Sequence, residues 1–239
     1  MIQRARRRAH PKRRASLKAV DPTLDDLTSG FPAARGPLGL LSGDEFQLGV
    51  AEFDRALLAA SGPPRPASGP RVGLITCADH GSASATIETA RAHFDQLGAE
   101  VADPDVIHGD DHPEIDLVYL GGGSPAELLA CLRQSAAWAK TMEAWREGMG
   151  LCGASAGAMV LCEHTLLPKP GDRVPTIWEQ GLGLVKGIGL AVHASSRPRE
   201  WIERVARAAP APVLALDDHT GVLLTDHARV IGPGSAWFA

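Results

Sequence analysis

Two side chains in the stretch GLCGASAGAMVL, residues 150–161, could act as nucleophiles. Cys152 and Ser155 lie three residues apart, and both are close to glycines. The segment Gly153-Ala-Ser155-Ala-Gly157 fits the pattern Gly-x-Ser-x-Gly, in which a serine occupies a sharp turn between a strand and a helix. Glycine on either side of the serine removes the β-carbons that would collide at such a turn. The pattern predicts acyl-transfer chemistry at Ser155.

The same turn fits Cys152 less well. Centred there, the pattern requires glycine at positions 150 and 154, and position 154 is alanine. Cys152 also lies inside the apolar run, where a thiol usually packs as a small hydrophobic group. We therefore favour Ser155. The structural alternative is that Ser155 only caps the following helix, since serine is a favoured N-cap residue.

Short apolar runs alternate with helical patterns around this turn. The runs predict strands and the periodic or capped segments predict helices. The alternation predicts an α/β fold, a three-layer sandwich with a mainly parallel central sheet and an antiparallel edge near the C-terminus. The predicted strands are 36–43, 71–78, 115–123, 149–155, 188–193, 213–217, 221–225 and 228–231, and the predicted helices are 44–60, 82–98, 124–147, 156–163 and 199–208.

Three glycine-rich stretches, 41–44, 121–124 and 153–157, fall where predicted strands end. Sites in such sheets form at the carboxyl ends of the strands, so the three stretches predict one site. The segment GGGSPA at 121–126 fails the last glycine of the dinucleotide pattern G-x-G-x-x-G, and we expect no dinucleotide there. Its backbone N–H groups could instead help to stabilise an oxyanion.

Composition limits the remaining possibilities. The chain has 239 residues, of which 44% are hydrophobic and 22% charged, and no apolar run is long enough to cross a membrane. The four cysteines show neither disulfide-scaffold nor metal-ligand spacing, so we expect a cytoplasmic protein without metal or organic cofactor. Residues 1–35 begin with a basic stretch and predict a disordered tail, and 36–239 predict one catalytic domain. Such a basic arm can bind nucleic acid, but we do not expect it to.

Five segments occur in this order along the chain: GPLGLLSGDEF, YLGGGSPAELL, GASAGAMVL, GLGLVKGIGLAVHA and LALDDHTGVLL. Together they resemble the serine peptidase family of dipeptidase E (aspartyl dipeptidase) and cyanophycinase, which has a class I glutamine amidotransferase-like fold. By position, the resemblance implies that Ser155 is the nucleophile and His193 the catalytic histidine. It places Gly122, Gly123 and Ala156 in the oxyanion-hole region. A histidine that closes a strand is also a sound general base and acid on chemical grounds, although a structural role is the alternative.

More than one acidic residue could orient the histidine. A carboxylate holds the imidazole in the required tautomer and stabilises its charged form. The resemblance of LALDDHTG to a family segment implies Asp218, with Asp172 and then Glu179 as rivals. Asp217 and Asp218 could also simply form a turn between two strands.

The substrate side departs from the family. The first glycine-rich turn reads SGDEF where the family is closer to Gly-Gly-Gly-Glu, and ASSRPRE after the histidine is also atypical. Ser124 and Arg197 are the predicted substrate-binding residues. Arg197 and Arg199 could bind a substrate carboxylate bidentately, or could be solvated charges near a helix start.

These observations together predict a serine hydrolase of peptidase type that cleaves a small peptide or isopeptide bond through an acyl-enzyme. The partner is expected to be a peptide-like small molecule, and a homodimer is common for folds of this size. One alternative is an α/β-hydrolase esterase, in which His219 or His227 would serve as base. Another is a catalytically inactive binding module of glutamine amidotransferase-like fold. Glutamine amide transfer fails because the cysteine turn is absent.

Overall fold

The computed structural model describes residues 22–29, 31, 35–62, 69–78, 83–102, 115–167 and 177–239. Within these residues the chain forms twelve strands and six α-helices. The strands are β1 (Leu38–Leu41), β2 (Arg71–Ile75), β3 (Glu100–Val101), β4 (Leu117–Leu120), β5 (Gly150–Ala154), β6 (Cys162–Leu167), β7 (Ile177–Gln180), β8 (Val185–Ala191), β9 (Val213–Leu216), β10 (Gly221–Leu224), β11 (Ala228–Ile231) and β12 (Ala236–Phe238). The helices are α1 (Ala51–Ala60), α2 (Ala83–Gln96), α3 (Pro125–Arg133), α4 (Ala136–Arg146), α5 (Ala156–Leu161) and α6 (Arg199–Ala208).

The larger sheet has seven strands in the order β11-β10-β1-β5-β4-β2-β3. The five neighbouring strands β1, β5, β4, β2 and β3 are parallel to one another, and β10 and β11 add an antiparallel edge. The mainly parallel central sheet and the antiparallel C-terminal edge are both confirmed. The carboxyl ends of β1, β5 and β4 are therefore neighbours, as the three glycine-rich stretches require.

Both faces of this sheet are covered. Along β4, Leu117 and Tyr119 join the apolar core with α1 and α2, whereas Val118 and Leu120 join the core with α3, α4 and α5. All four side chains are fully buried. This explains why the strands read as continuous apolar runs, and it confirms the three layers.

A second, five-stranded sheet in the order β12-β9-β8-β6-β7 was not predicted. β9, whose position in the chain suggested the C-terminal edge, instead pairs with β8 in parallel and with β12 antiparallel. The predicted helix 156–163 ends at Leu161, and Cys162 begins β6 directly. The second sheet places the loop after β8, which contains His193, at the carboxyl end of the larger sheet.

Two further predicted helices differ from the observed ones. The helix expected over 44–60 begins only at Ala51, after a 3-10 turn, because Asp44 and Phe46 have φ values of 56° and 65° that a right-handed helix excludes. The helix expected over 124–147 is two helices, α3 and α4. Ser135 separates them and caps α4 by accepting the N–H of Trp138 at 3.1 Å.

The predicted tail is partly folded. Residues Leu24–Thr28 form a 3-10 helix whose Leu27 is buried in the core, and Phe31 packs edge-on against a tryptophan of α4. Arg35 donates to the backbone oxygen of Thr225 at 2.6 Å. The domain therefore starts before residue 36, and residues 1–21 lie outside the described part. No helix in the described ranges is both long and apolar enough to cross a membrane.

Candidate active site

Ser155 occupies the sharp turn between β5 and α5. Its backbone has φ 50° and ψ −114°, a conformation that is costly for a residue with a β-carbon. A β-carbon at Gly153 would lie 2.4 Å from the backbone of Gly157, and one at Gly157 would lie 2.4 Å from the carbonyl oxygen of Leu120. The two glycines are therefore required by the turn, as the sequence pattern predicts. The Ser155 side chain makes no capping hydrogen bond to α5, which removes the structural alternative.

His193 follows β8 and faces Ser155. Its Nε2 lies 3.3 Å from Ser155 Oγ, and its backbone N–H donates to Ser42 Oγ at 2.8 Å. Its own backbone is left-handed, with φ 56°. A β-carbon at Gly43 would lie 2.2 Å from Cε1 of the imidazole, so the ring packs directly on the glycine-rich turn after β1. The second sheet thus positions His193, and contacts with the loop after β1 fix its orientation.

Asp218 binds the other nitrogen of this ring. Its Oδ1 lies 2.9 Å from His193 Nδ1, and its Oδ2 accepts the hydroxyls of Ser196, at 2.7 Å, and Ser195. Partial burial raises the pKa of Asp218, but the hydrogen bonds from Ser195, Ser196 and His193 outweigh that effect and lower the pKa to about 2. The carboxyl group is consequently ionised throughout the neutral range.

The rival acids do not occupy this position. Glu179 is exposed on β7, opposite Thr165 of β6, and within the described ranges it makes no hydrogen bond to His193. Asp172 lies outside the described residues. Asp217 accepts the N–H of Ser235 at 2.9 Å and so supports the turn that leads to β12. Of the two adjacent aspartates, one is structural and the other faces the imidazole.

The competing histidines and the cysteine lie elsewhere. His219 is 3.6 Å from a carboxylate oxygen of Asp44, and His227 is exposed in the turn between β10 and β11. The imidazole beside Ser155 is that of His193. Cys152 is fully buried within β5, and burial raises the pKa of its thiol well above the usual range, which disfavours the reactive thiolate.

The backbone donors near Ser155 differ in their partners. Among the three glycines after β4, Gly121 donates its N–H to Ile75 at 3.0 Å, and Gly122 donates to Glu45 Oε1 at 2.9 Å. The N–H groups of Gly123 and Ala156 make no hydrogen bond within the part of the chain that the structure describes. These two donors border the same pocket as Ser155.

That pocket has a volume of about 150 Å³ and is largely apolar. Arg197 contributes its cationic group, which lies 5.3 Å from the ring centroid of Trp201. Arg199 instead pairs with Glu203 at 3.4 Å on the surface of α6, in keeping with a solvated charge. Ser124 caps α3 by accepting a backbone N–H at 3.4 Å. The walls are Gly123, Pro125, Ser155, Ala156, Met159, Leu166, Val192, His193, Arg197 and Trp201.

One group of side chains has the composition of a metal site. Ligand atoms of Asp44, His193 and Asp218 all lie within 4.8 Å of one another. However, both ring nitrogens of His193 are already engaged, by Ser155 and by Asp218. A metal would have to displace one of these hydrogen bonds, so the arrangement is better suited to proton transfer.

Sequence reasoning missed several residues that support the site: Ser42, Asp44, Glu45, Ser195 and Ser196. The two consecutive serines after a strand-ending histidine were a usable signal, because a carboxylate needs hydroxyl donors to remain ionised. Glu45 lies in the SGDEF segment, whose difference from the family pattern gives no role to this carboxylate.

Comparisons with known proteins identify a family and a fold. The model of peptidase family S51 matches residues 65–231. A peptidase from an acI-B1 Actinobacterium has a similar structure, with a TM-score of 0.66 and 24% identity over 86% of this chain and 95% of that one. A candidate peptidase E protein from Listeria monocytogenes EGD-e has a TM-score of 0.58 and 16% identity, over 84% of this chain and 100% of that one. These two likenesses show the fold.

A search of curated proteins found no match. The family model nevertheless spans well over half of the chain, and the matched region contains Ser155, His193 and Asp218. The chain therefore belongs to peptidase family S51.

Proposed function

We propose that this chain is a serine peptidase that hydrolyses small peptide or isopeptide bonds through an acyl-enzyme at Ser155. One observation carries the proposal. A hydrogen-bond chain joins Ser155 Oγ to His193 Nε2 at 3.3 Å and His193 Nδ1 to Asp218 at 2.9 Å, and it begins at a strained turn beside a pocket. Membership of the S51 family supports the reaction class.

The first step forms the acyl-enzyme. With the ring proton on Nδ1, donated to Asp218, the Nε2 atom of His193 accepts the hydroxyl proton while Ser155 Oγ attacks the carbonyl carbon. The ionised Asp218 stabilises the imidazolium that results. The distance of 3.3 Å is long for a hydrogen bond, and such bonds tighten when substrate is present.

The tetrahedral intermediate carries a negative oxygen. The N–H groups of Gly123 and Ala156 are available to bind it, and loss of one such donor typically costs about 10²–10³-fold in kcat. His193 Nε2 then returns its proton to the departing amine, and the carbonyl remains bound to Ser155 as an ester. Water attacks this ester and gives a proton to His193. His193 then returns that proton to Ser155 Oγ as the ester bond breaks and the acid product leaves.

The pocket supports a small substrate. Its volume of about 150 Å³ suits one side chain, and its walls are mainly apolar. Arg197 at the same pocket is the group best suited to bind a substrate carboxylate, because a guanidinium matches that group bidentately. Neither metal nor organic cofactor takes part in this mechanism.

The two alternatives receive less support. An esterase of α/β-hydrolase type would use His219 or His227, and neither imidazole is the one hydrogen-bonded to Ser155. An inactive binding module has no need of the strained serine conformation, nor of a carboxylate whose ionisation is maintained by three donors.

The test is a substrate panel of α-linked dipeptides, β-linked isopeptides and simple esters, with released amine or acid quantified for the wild-type protein and for S155A. We expect the wild type to hydrolyse one or more of the peptides and S155A to be inactive. Hydrolysis of esters alone, or equal hydrolysis by S155A, would contradict the proposal.

A further inference from the structure

A carboxylate in the loop after β1 connects this loop to the loop after β4, across the end of β5. In the larger sheet β1 and β4 lie on either side of β5, so the loops that follow them flank Ser155. Glu45, in the first loop, accepts the N–H of Gly122, in the second, at 2.9 Å. The side chain thus connects the two loops that border the nucleophile.

This bridge lies next to Ser155 itself. A β-carbon on Gly122 would be 3.0 Å from Glu45 Oε1 and 3.5 Å from Ser155 Cβ. The backbone of Gly122 is therefore close to both the Glu45 carboxylate and the Ser155 side chain.

The loop that presents Glu45 is held in a costly conformation. Its neighbours Asp44 and Phe46 both have left-handed backbones, with φ values of 56° and 65°. Phe46 is buried, and its ring centroid lies 5.0 Å from that of Tyr119 in β4 and 5.8 Å from that of Phe94 in α2. Strained residues persist only where the surroundings fix them, and they concentrate at functional sites.

The glycine turn divides its N–H groups among different acceptors. Gly121 is bound by β2 and Gly122 by Glu45, whereas Gly123, with φ 106°, has no acceptor within the described residues and borders the pocket. A β-carbon at Gly123 would also lie 2.2 Å from the carbonyl oxygen of Ala78. Close packing fixes the turn on one side, and the Glu45 carboxylate fixes it on the other.

We infer that Glu45 is a positioning residue for acyl transfer: by binding the N–H of Gly122, it orients the turn so that the N–H of Gly123 serves the oxyanion. This inference rests on the proposed function. A negative charge near a developing oxyanion is itself unfavourable. The turn therefore requires the acceptor oxygen of this side chain and not its charge.

That distinction gives a sharp test with the variants E45A and E45Q. Glutamine keeps an acceptor oxygen at the same length of side chain, and alanine removes it. Gln47, exposed in the same loop, provides the control Q47A. We expect E45A to lower kcat by about 10²-fold with KM changed by less than about 3-fold, because a misplaced donor weakens only the transition state. E45Q and Q47A should remain within about 3-fold of the wild-type kcat.

The rate of labelling by a fluorophosphonate, a probe that forms a similar oxyanion on the serine, should fall in parallel for E45A only. If E45A does not fold, as judged by thermal unfolding, E45M replaces it, because methionine keeps the length without a comparable acceptor. A wild-type kcat for the variant without an acceptor overturns the inference. An E45Q variant whose kcat falls as far as that of E45A also overturns it. An E45Q variant that mainly raises KM overturns it too, because that result would show that the charge binds substrate. Failure of the wild type to label at Ser155 would instead overturn the proposed function.

Discussion

Within the described part of the molecule, two histidine–aspartate pairs of nearly equal length lie in very different surroundings. His193 and Asp218 are 2.9 Å apart, partly exposed, at the ends of strands beside Ser155. His93 and Asp54 are 2.8 Å apart and buried between α2 and α1. The second oxygen of Asp54 accepts the hydroxyl of Tyr119 at 3.4 Å, so the inner pair ends in the core.

The surroundings shift the pKa values of the two carboxyl groups in opposite directions. Burial raises the pKa of Asp54, and the hydrogen bonds from His93 and Tyr119 only partly oppose that rise. At Asp218 burial is smaller, and the serine hydroxyls and His193 lower the pKa to about 2. A short histidine–aspartate distance therefore does not identify a catalytic pair. A catalytic pair also needs a hydroxyl group within hydrogen-bond reach of the other ring nitrogen, access for the substrate, and backbone N–H groups that can bind the oxyanion.

The largest expected difference between the pairs is in catalysis. H193A removes the group that moves the proton, and we expect kcat to fall by about 10⁴–10⁶-fold, while the free energy of unfolding changes by no more than about 1 kcal/mol. Steady-state assays together with urea unfolding measure both quantities. An H193A protein that retained about a tenth of the wild-type kcat would contradict the distinction between the two pairs.

Replacing Asp218 tests the orienting role. In D218N the amide can donate to Nδ1 and favours the wrong tautomer, so we expect kcat to fall by about 10⁴-fold with little change in KM. The matched variant at the other pair is D54N, which should leave kcat per folded molecule near the wild-type value. Similar losses of kcat in D218N and D54N would mean that the His193–Asp218 pair has no catalytic role that the buried pair lacks.

The inner pair should dominate stability. D54A or H93A leaves a buried polar partner without its hydrogen bond, and loss of one member of a buried pair typically costs about 3–5 kcal/mol. Urea unfolding of the two single variants and the double variant measures this loss and the coupling between the residues. Single variants as stable as the wild type would show that the pair does not hold α1 and α2 together.

The smallest effect is the dependence of stability on pH. The folded pKa of Asp218, about 2, lies below the value of about 3.9 for an unfolded chain. Its contribution is therefore present above the unfolded value and lost as pH falls through the folded one. The difference in unfolding free energy between wild type and D218N should therefore narrow as the pH falls from about 4 to about 2.

The raised pKa of Asp54 has the opposite sign, because the folded protein binds this proton more readily than the unfolded chain. The difference between wild type and D54N should consequently shift in favour of the wild type as the solution is acidified. Parallel curves for the two aspartates, measured by urea unfolding across the same pH series, would contradict the contrast between the pairs.

Local sequence was sufficient where backbone geometry is local. The serine turn could be predicted because Gly153 and Gly157 are required by contacts within a few residues of Ser155 or on the adjacent strand. The parallel sheet could be predicted because strands buried on both faces are continuously apolar. His193 could be selected as the base because it follows a predicted strand, although that strand, β8, belongs to the second sheet, which the apolar pattern did not predict.

Tertiary contacts decided the rest. The left-handed backbone of Phe46 depends on packing with Tyr119, which lies far along the chain, so the pattern of apolar residues alone suggested a helix there. β7 is mostly exposed and β6 follows α5 without a connecting loop, and neither shows a clear strand signal. Which of the two adjacent aspartates faces the histidine depends on the serines after β8 and on the turn to β12.

The central claim is that Ser155 is an activated nucleophile, and covalent trapping tests it most directly. After treatment with a fluorophosphonate, intact-protein mass spectrometry should show a single adduct, and peptide mapping should locate it on Ser155. S155A should show none, and H193A should react far more slowly than H93A. An absent adduct, or one on another residue, would contradict the account.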